Sequence, residues 1–84
     1  MNHHANPKFW AAYDRLPREV QQLADRNFDL LKSNPHHASL GFKRVNRYWS
    51  ARIGLSHRAL AVRDGDDLIW FWIGEHGEYD RLIR

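Results

Sequence analysis

Asp64-Gly65-Asp66-Asp67, then Leu68-Ile69-Trp70-Phe71-Trp72-Ile73 and Gly74, is the stretch whose reading decides the fold. Its first four residues are the strongest hairpin signal in the chain, because Asp and Gly accept the backbone angles of a tight turn. The next six are apolar at odd and even positions alike. A half-buried strand would alternate. A strand apolar on both parities must be covered on both faces, which places it inside a sheet. Trp70 and Trp72 share a parity and read as core.

Working backward, His57–Arg63, Tyr48–Gly54 and Phe42–Val45 are further short β-rich runs. Leu55-Ser56 after Gly54 and Asn46-Arg47 separate them. Before Asn34-Pro35 the period changes to that of a helix. Val20, Leu23, Ala24, Asn27 and Leu31 fall on one stripe, flanked by Phe28 and Leu30. Pro17 suits the start of this helix, and the residue before Pro35 ends it. Phe9, Trp10 and Tyr13 mark a shorter helical segment over Pro7–Arg15. The tight Leu16-Pro17 junction turns the two into a helical hairpin.

The expected architecture is α+β. An N-terminal helical hairpin packs on a twisted antiparallel sheet of about four strands, and the basic stretch lines the other face. Residues 1–6 are expected to be disordered, and residues 7–84 to form a single domain. Glu75–Arg84 reads as a short tail with one helical turn from Glu78 onward.

A chain of 84 residues is one domain with a small core, so chemistry has to sit on an open face. It has no cysteine, which excludes a disulfide framework, a thiol nucleophile and a Cys-based zinc site. No apolar run approaches the ~20 residues of a membrane span, and Met1–Pro7 carries no signal-peptide core. A cytoplasmic location and no membrane partner are the expectations.

The net charge of +3 conceals a segregation. Residues 1–29 balance to zero. Residues 30–63 hold seven bases and no acid, and residues 64–84 carry a net −4. An acid-free stretch of 34 residues is a local basic field that favours polyanions, unless it is only a solvated surface. Ten of the thirteen bases are Arg, whose fork matches phosphate geometry.

Several residues could carry chemistry. Tyr48, Ser50 and Arg52 share one face of their strand, and Arg58, Leu60 and Val62 share a face of the next. The three-residue connection Gly54–Ser56 can bring Arg52 and Arg58 together. They then either flank an anion or make separate salt bridges, for instance to Asp66 or Asp67. His76 and Tyr79, beside Glu78 and Asp80, are either an acid/base pair or part of a polar surface loop. Trp49, flanked by basic residues, either stacks on a base or packs in the core. The adjacent pairs His3-His4 and His36-His37 lack metal-ligand spacing, so no metal site and no cofactor are expected.

The order of these elements resembles the RelE/ParE superfamily of type II toxin–antitoxin toxins, over about Pro7–Ile83. Leu16-Pro17-Arg18-Glu19-Val20-Gln21 is similar to the start of that family's long helix. Asn34 to Val45 is similar to its connector into the sheet. Tyr48–Gly54 with His57-Arg58-Ala59-Leu60 is similar to its central hairpin. Ile69–Gly74 followed by Glu75-His76-Gly77-Glu78-Tyr79-Asp80 resembles a subgroup with a His/Tyr/Asp-containing tail.

The resemblance implies a ribosome-dependent, metal-independent messenger-RNA endoribonuclease that inhibits translation, with the ribose 2′-hydroxyl attacking the adjacent phosphorus. It implies Arg58 on the scissile phosphate and Arg52 stabilising the transition state. His76 would accept the proton, and Tyr79 would orient the base or take part in proton transfer. Lys43, Arg44 and Arg47, with Trp49, would contact the RNA, gripping backbone rather than reading sequence. It implies a cognate antitoxin as partner, beside mRNA and the ribosome. The family's other branch implies a gyrase inhibitor without nuclease activity, and a non-catalytic nucleic-acid-binding relative is the third reading. Some members carry two lysines on the strand where this chain has only Arg52.

Overall fold

The computed structural model describes residues 1–84. Strand β1 (Asn2–Ala5) leads into helices α1 (Pro7–Tyr13) and α2 (Arg18–Ser33). A 3-10 turn over Ala38–Leu40 follows. Then come β2 (Lys43–Val45), β3 (Tyr48–Ile53), β4 (His57–Asp64), β5 (Asp67–Glu75) and helix α3 (His76–Leu82). The sheet order is β1-β5-β4-β3-β2. The last four strands form the expected antiparallel meander, and the helical hairpin covers one face. The fold is therefore the α+β architecture read from the sequence, with one strand more.

That extra strand is the first correction. Asn2–Ala5, expected to be disordered, pairs parallel with Asp67–Trp70 of β5. A side-chain anchor holds it. The Trp70 indole N–H donates to His3 Nδ1 at 3.1 Å, and the two rings stack. Phe28 of α2 meets the same imidazole edge-on. Burial holds the His3 imidazole below its ordinary value of 6.5, with help from the N-terminal amine, Lys32 and His4. β1 also gives β5 its second neighbour, which makes β5 the interior strand its composition demands.

Asn6 ends β1 and caps α1, its side chain accepting the Phe9 N–H, with Pro7 at the first helical position. Tyr13 closes the hairpin. Its hydroxyl donates to Asp25 at 2.8 Å, and its carbonyl accepts from the Gln21 side chain. Burial and the Asp25 carboxylate together raise the Tyr13 hydroxyl above its ordinary value.

The core lies between α2 and the sheet. Ala24, Leu31, Leu40, Ala51, Ile53, Ala59, Ala61, Leu68, Trp70 and Ile73 form one buried cluster. Asn27 sits in the apolar stripe of α2 for a reason: its side-chain amide donates to the Arg52 carbonyl at 3.0 Å and ties the helix to β3.

A bulge overturns one core assignment. Leu60 pairs with Trp72 and Ala61 with Trp70, so Phe71 is an extra residue. The bulge shifts parity, and Trp70 and Trp72 face opposite ways. Trp70 is in the helix-side core, whereas Trp72 lies against Gly74 on the other face. Sequence parity alone cannot register an inserted residue. No helix is long and apolar enough to cross a membrane.

Candidate functional site

The face of the sheet away from α1 and α2 carries Ser50, Arg52, Arg58, Leu60 and Trp72. Arg52 and Arg58 are direct cross-strand partners, and Arg58 pairs in turn with Gly74. Like charges held opposite each other repel. None of the three ion pairs in the molecule involves either arginine, so no carboxylate relieves them. Asp67 lies instead against His4 and Asn2. The guanidiniums bond only backbone carbonyls: Arg52 Nη2 donates to Ala38 O, and Arg58 Nη1 to His57 O. Both side chains line an open groove. The salt-bridge alternative for this pair is therefore absent, and the anion-flanking one keeps its geometry.

α3 closes one end. It begins at His76 rather than at Glu78, and the His76 N–H donates to the Ser56 carbonyl at 2.8 Å. Glu78 in the first turn and Arg81 in the last suit the helix dipole. The earlier start puts His76 and Tyr79 one helical turn apart. Their rings stack at 6.2 Å between centroids. His76 Nδ1 lies 3.5 Å from Asp80 Oδ2. Tyr79 is 6% exposed, with the Arg58 guanidinium 6.0 Å from its ring centre. The tail is thus not a polar loop: its tyrosine is core to this face, and its histidine is at the surface.

Gly41, Phe42, Lys43, Ser50, Arg52, Arg58, His76 and Tyr79 line one open groove of about 500 Å³. All four residues assigned to chemistry, and one of the four assigned to RNA contact, meet there. The other three do not. Arg44 pairs across from Trp49, and its Nε donates to the Asn46 carbonyl. Arg47 lies over the Tyr48 ring at the far end of the same face. Trp49 stacks on Phe42 at 5.2 Å and packs against the helix-side core. Of the two readings of Trp49, core packing is the one its position fits. No group of three or more His, Asp or Glu residues is arranged to hold a metal.

Of two further groove residues, the sequence placed Ser50 on the Arg52 face without a role and passed over Gly41. Ser50 is buried in the groove floor, 2% exposed, beside Lys43 as its cross-strand partner. Gly41 adopts a left-handed conformation, φ 50°, directly against Arg52. A glycine just ahead of a strand was the available signal for the second.

Solved structures that superpose on this fold include toxins of toxin–antitoxin systems. YafQ from Escherichia coli BL21(DE3) superposes with a TM-score of 0.73 at 12% identity, covering 93% of this chain and 96% of that one. The RelB–RelE antitoxin–toxin complex from Methanococcus jannaschii gives 0.72 at 14% identity, covering 96% and 99%. A YoeB/ParE toxin from Agrobacterium tumefaciens gives 0.67 at 19% identity, covering 90% and 99%. At such identities the likeness is one of fold. No curated protein sequence matches the chain significantly. The family model of the ParE-like toxin domain matches residues 18–81, from the start of α2 through α3, and the chain belongs to that family.

Proposed function

We propose that the protein is the toxin of a toxin–antitoxin pair and cleaves messenger RNA on the ribosome without a metal. One observation carries the reading: Arg52, Arg58, His76 and Tyr79, from three separate elements, converge on one open groove. Cleavage by the ribose 2′-hydroxyl needs a proton acceptor and stabilisation of charge at the phosphate. The two unpaired guanidiniums supply the second. Arg58 holds the scissile phosphate, and Arg52 meets the charge that grows on its oxygens. His76 takes the 2′ proton as the new O–P bond forms and the bond to the 5′ oxygen breaks; the departing oxygen is protonated by water in the open groove. Tyr79, buried under both, orients His76 and Arg58. Lys43 steers the flanking backbone, and Arg44 and Arg47 extend the basic edge. The groove is open on one side, which suits a site whose other wall is the ribosome. The antitoxin neutralises this basic face.

The ParE-like family model favours a second reading, inhibition of gyrase without cleavage. One pair of assays separates the two. Primer extension on mRNA after induction is expected to show ribosome-phased cuts, lost in Arg58→Ala and His76→Ala. Intact mRNA together with blocked DNA supercoiling would replace this reading by the gyrase one.

A further inference from the structure

The two groove arginines are held in different ways. Arg58 bonds the carbonyl of its own neighbour and rests on Tyr79. Arg52 reaches off its strand to the connector, where Nη2 donates to the Ala38 carbonyl at 3.3 Å. The Nε/Nη2 edge of its guanidinium then faces position 41. A Cβ on Gly41 would stand 2.5 Å from Arg52 Nε, 2.8 Å from Nη2 and 3.0 Å from Cζ. The wall itself is fixed. Leu40, 1% exposed, anchors the turn in the core, and His37 Nδ1 caps it by accepting the Ser39 N–H. On the other side, Asn27 holds the Arg52 carbonyl. With the turn and the strand both pinned, a side chain at 41 has one soft neighbour to displace, the guanidinium.

We infer that Gly41 is a positioning residue, which sets the Arg52 guanidinium against the connector, with Nη2 on the Ala38 carbonyl, by leaving its own side-chain space empty. Its role as phosphate-charge stabiliser rests on the function proposed above; its placement does not. Gly41 also serves an ordinary end, since its φ of 50° suits glycine. Gly65 separates the two. It has nearly the same φ, 61°, and a Cβ there meets nothing within 4 Å. Gly65→Ala therefore incurs the backbone strain alone, whereas Gly41→Ala adds the guanidinium displacement.

The test compares wild type, Gly41→Ala, Gly65→Ala, Arg52→Ala and the Gly41→Ala/Arg52→Ala double variant. Two quantities are read: the ¹⁵N–¹H resonance of the Arg52 Nε–H, and the rate of mRNA cleavage on saturating ribosomes. Gly41→Ala is expected to shift the Arg52 resonance and to slow cleavage about a hundredfold, the cost of misplacing a reacting group by about an ångström. Gly65→Ala should lower the melting temperature similarly and leave both readouts alone. On the Arg52→Ala background, Gly41→Ala should slow cleavage no further. An unmoved Arg52 resonance in Gly41→Ala overturns the inference, as do equal losses in the two glycine variants or losses that multiply in the double variant. If wild type cuts no mRNA, the function proposed above falls, and the Arg52 resonance alone decides the placement.

Discussion

The two faces of the sheet obey opposite rules. The helix-side face is a dry cluster of aliphatic residues around Trp70, with its polar groups satisfied. The other face sets Arg52 against Arg58 with no carboxylate between them and leaves a groove above. A small domain has little stability to spare, so repulsion on one face is tolerable only because the other is closed. The division teaches that, on the proposed function, stability and chemistry are separable down to alternate residues of one strand: Ala51 and Ile53 belong to the core, Ser50 and Arg52 to the groove.

Substitutions can break or sharpen that division. The largest effect on folding is expected from Trp70→Ala, a loss of about 3–5 kcal/mol typical of a buried tryptophan. It also removes the His3 anchor, so chemical denaturation should show a lower midpoint and amide exchange should show β1 released. Arg58→Ala is the mirror case. Cleavage should fall roughly a hundredfold, as when one donor to a developing anion is removed. Stability should hold or rise, because opposed like charges cost roughly 0.2–1 kcal/mol. A melting temperature several degrees lower would mean the groove arginine is a structural member after all.

The smallest effect is one of pH. The His3 imidazole is held below 6.5, so the folded chain binds fewer protons there than the unfolded chain. This contribution is complete above the unfolded value and is lost as pH falls through 6.5 toward the lower folded value. The protection factor of the Asn6 amide, which donates to the Trp70 carbonyl, should therefore fall between pH 7 and pH 5.5. In His3→Gln that fall should shrink.

Much of this was legible in the residues. The short Gly54–Ser56 connection allowed Arg52 and Arg58 to face each other across the hairpin, and helical spacing located α2. What was not legible depended on distant partners. Nothing in Asn-His-His-Ala reads as a strand, because its pairing energy comes from a strand 65 residues away. The doubly apolar β5 pointed to an interior strand but did not say which segment would flank it. The bulge at Phe71 was invisible for another reason: an extra residue changes parity without changing composition. The placement of Tyr79 beneath Arg58 needed α3 to begin at its first residue, against the usual reading of Gly77 as a breaker.

The pairing of β1 with β5 has a consequence for how the molecule comes into being. The first strand to be made must wait for nearly the last. At about 5–20 residues per second of synthesis, 65 residues is a delay of roughly 3–13 s. During that interval the β3–β4 hairpin can already bring its arginines together. Leu68, Trp70 and Ile73 are still missing from the core, however, and His76 and Tyr79 do not yet exist. On the proposed function, a nascent chain is thus inert by the order of its parts, and the groove is assembled only after the final strand and helix have been made.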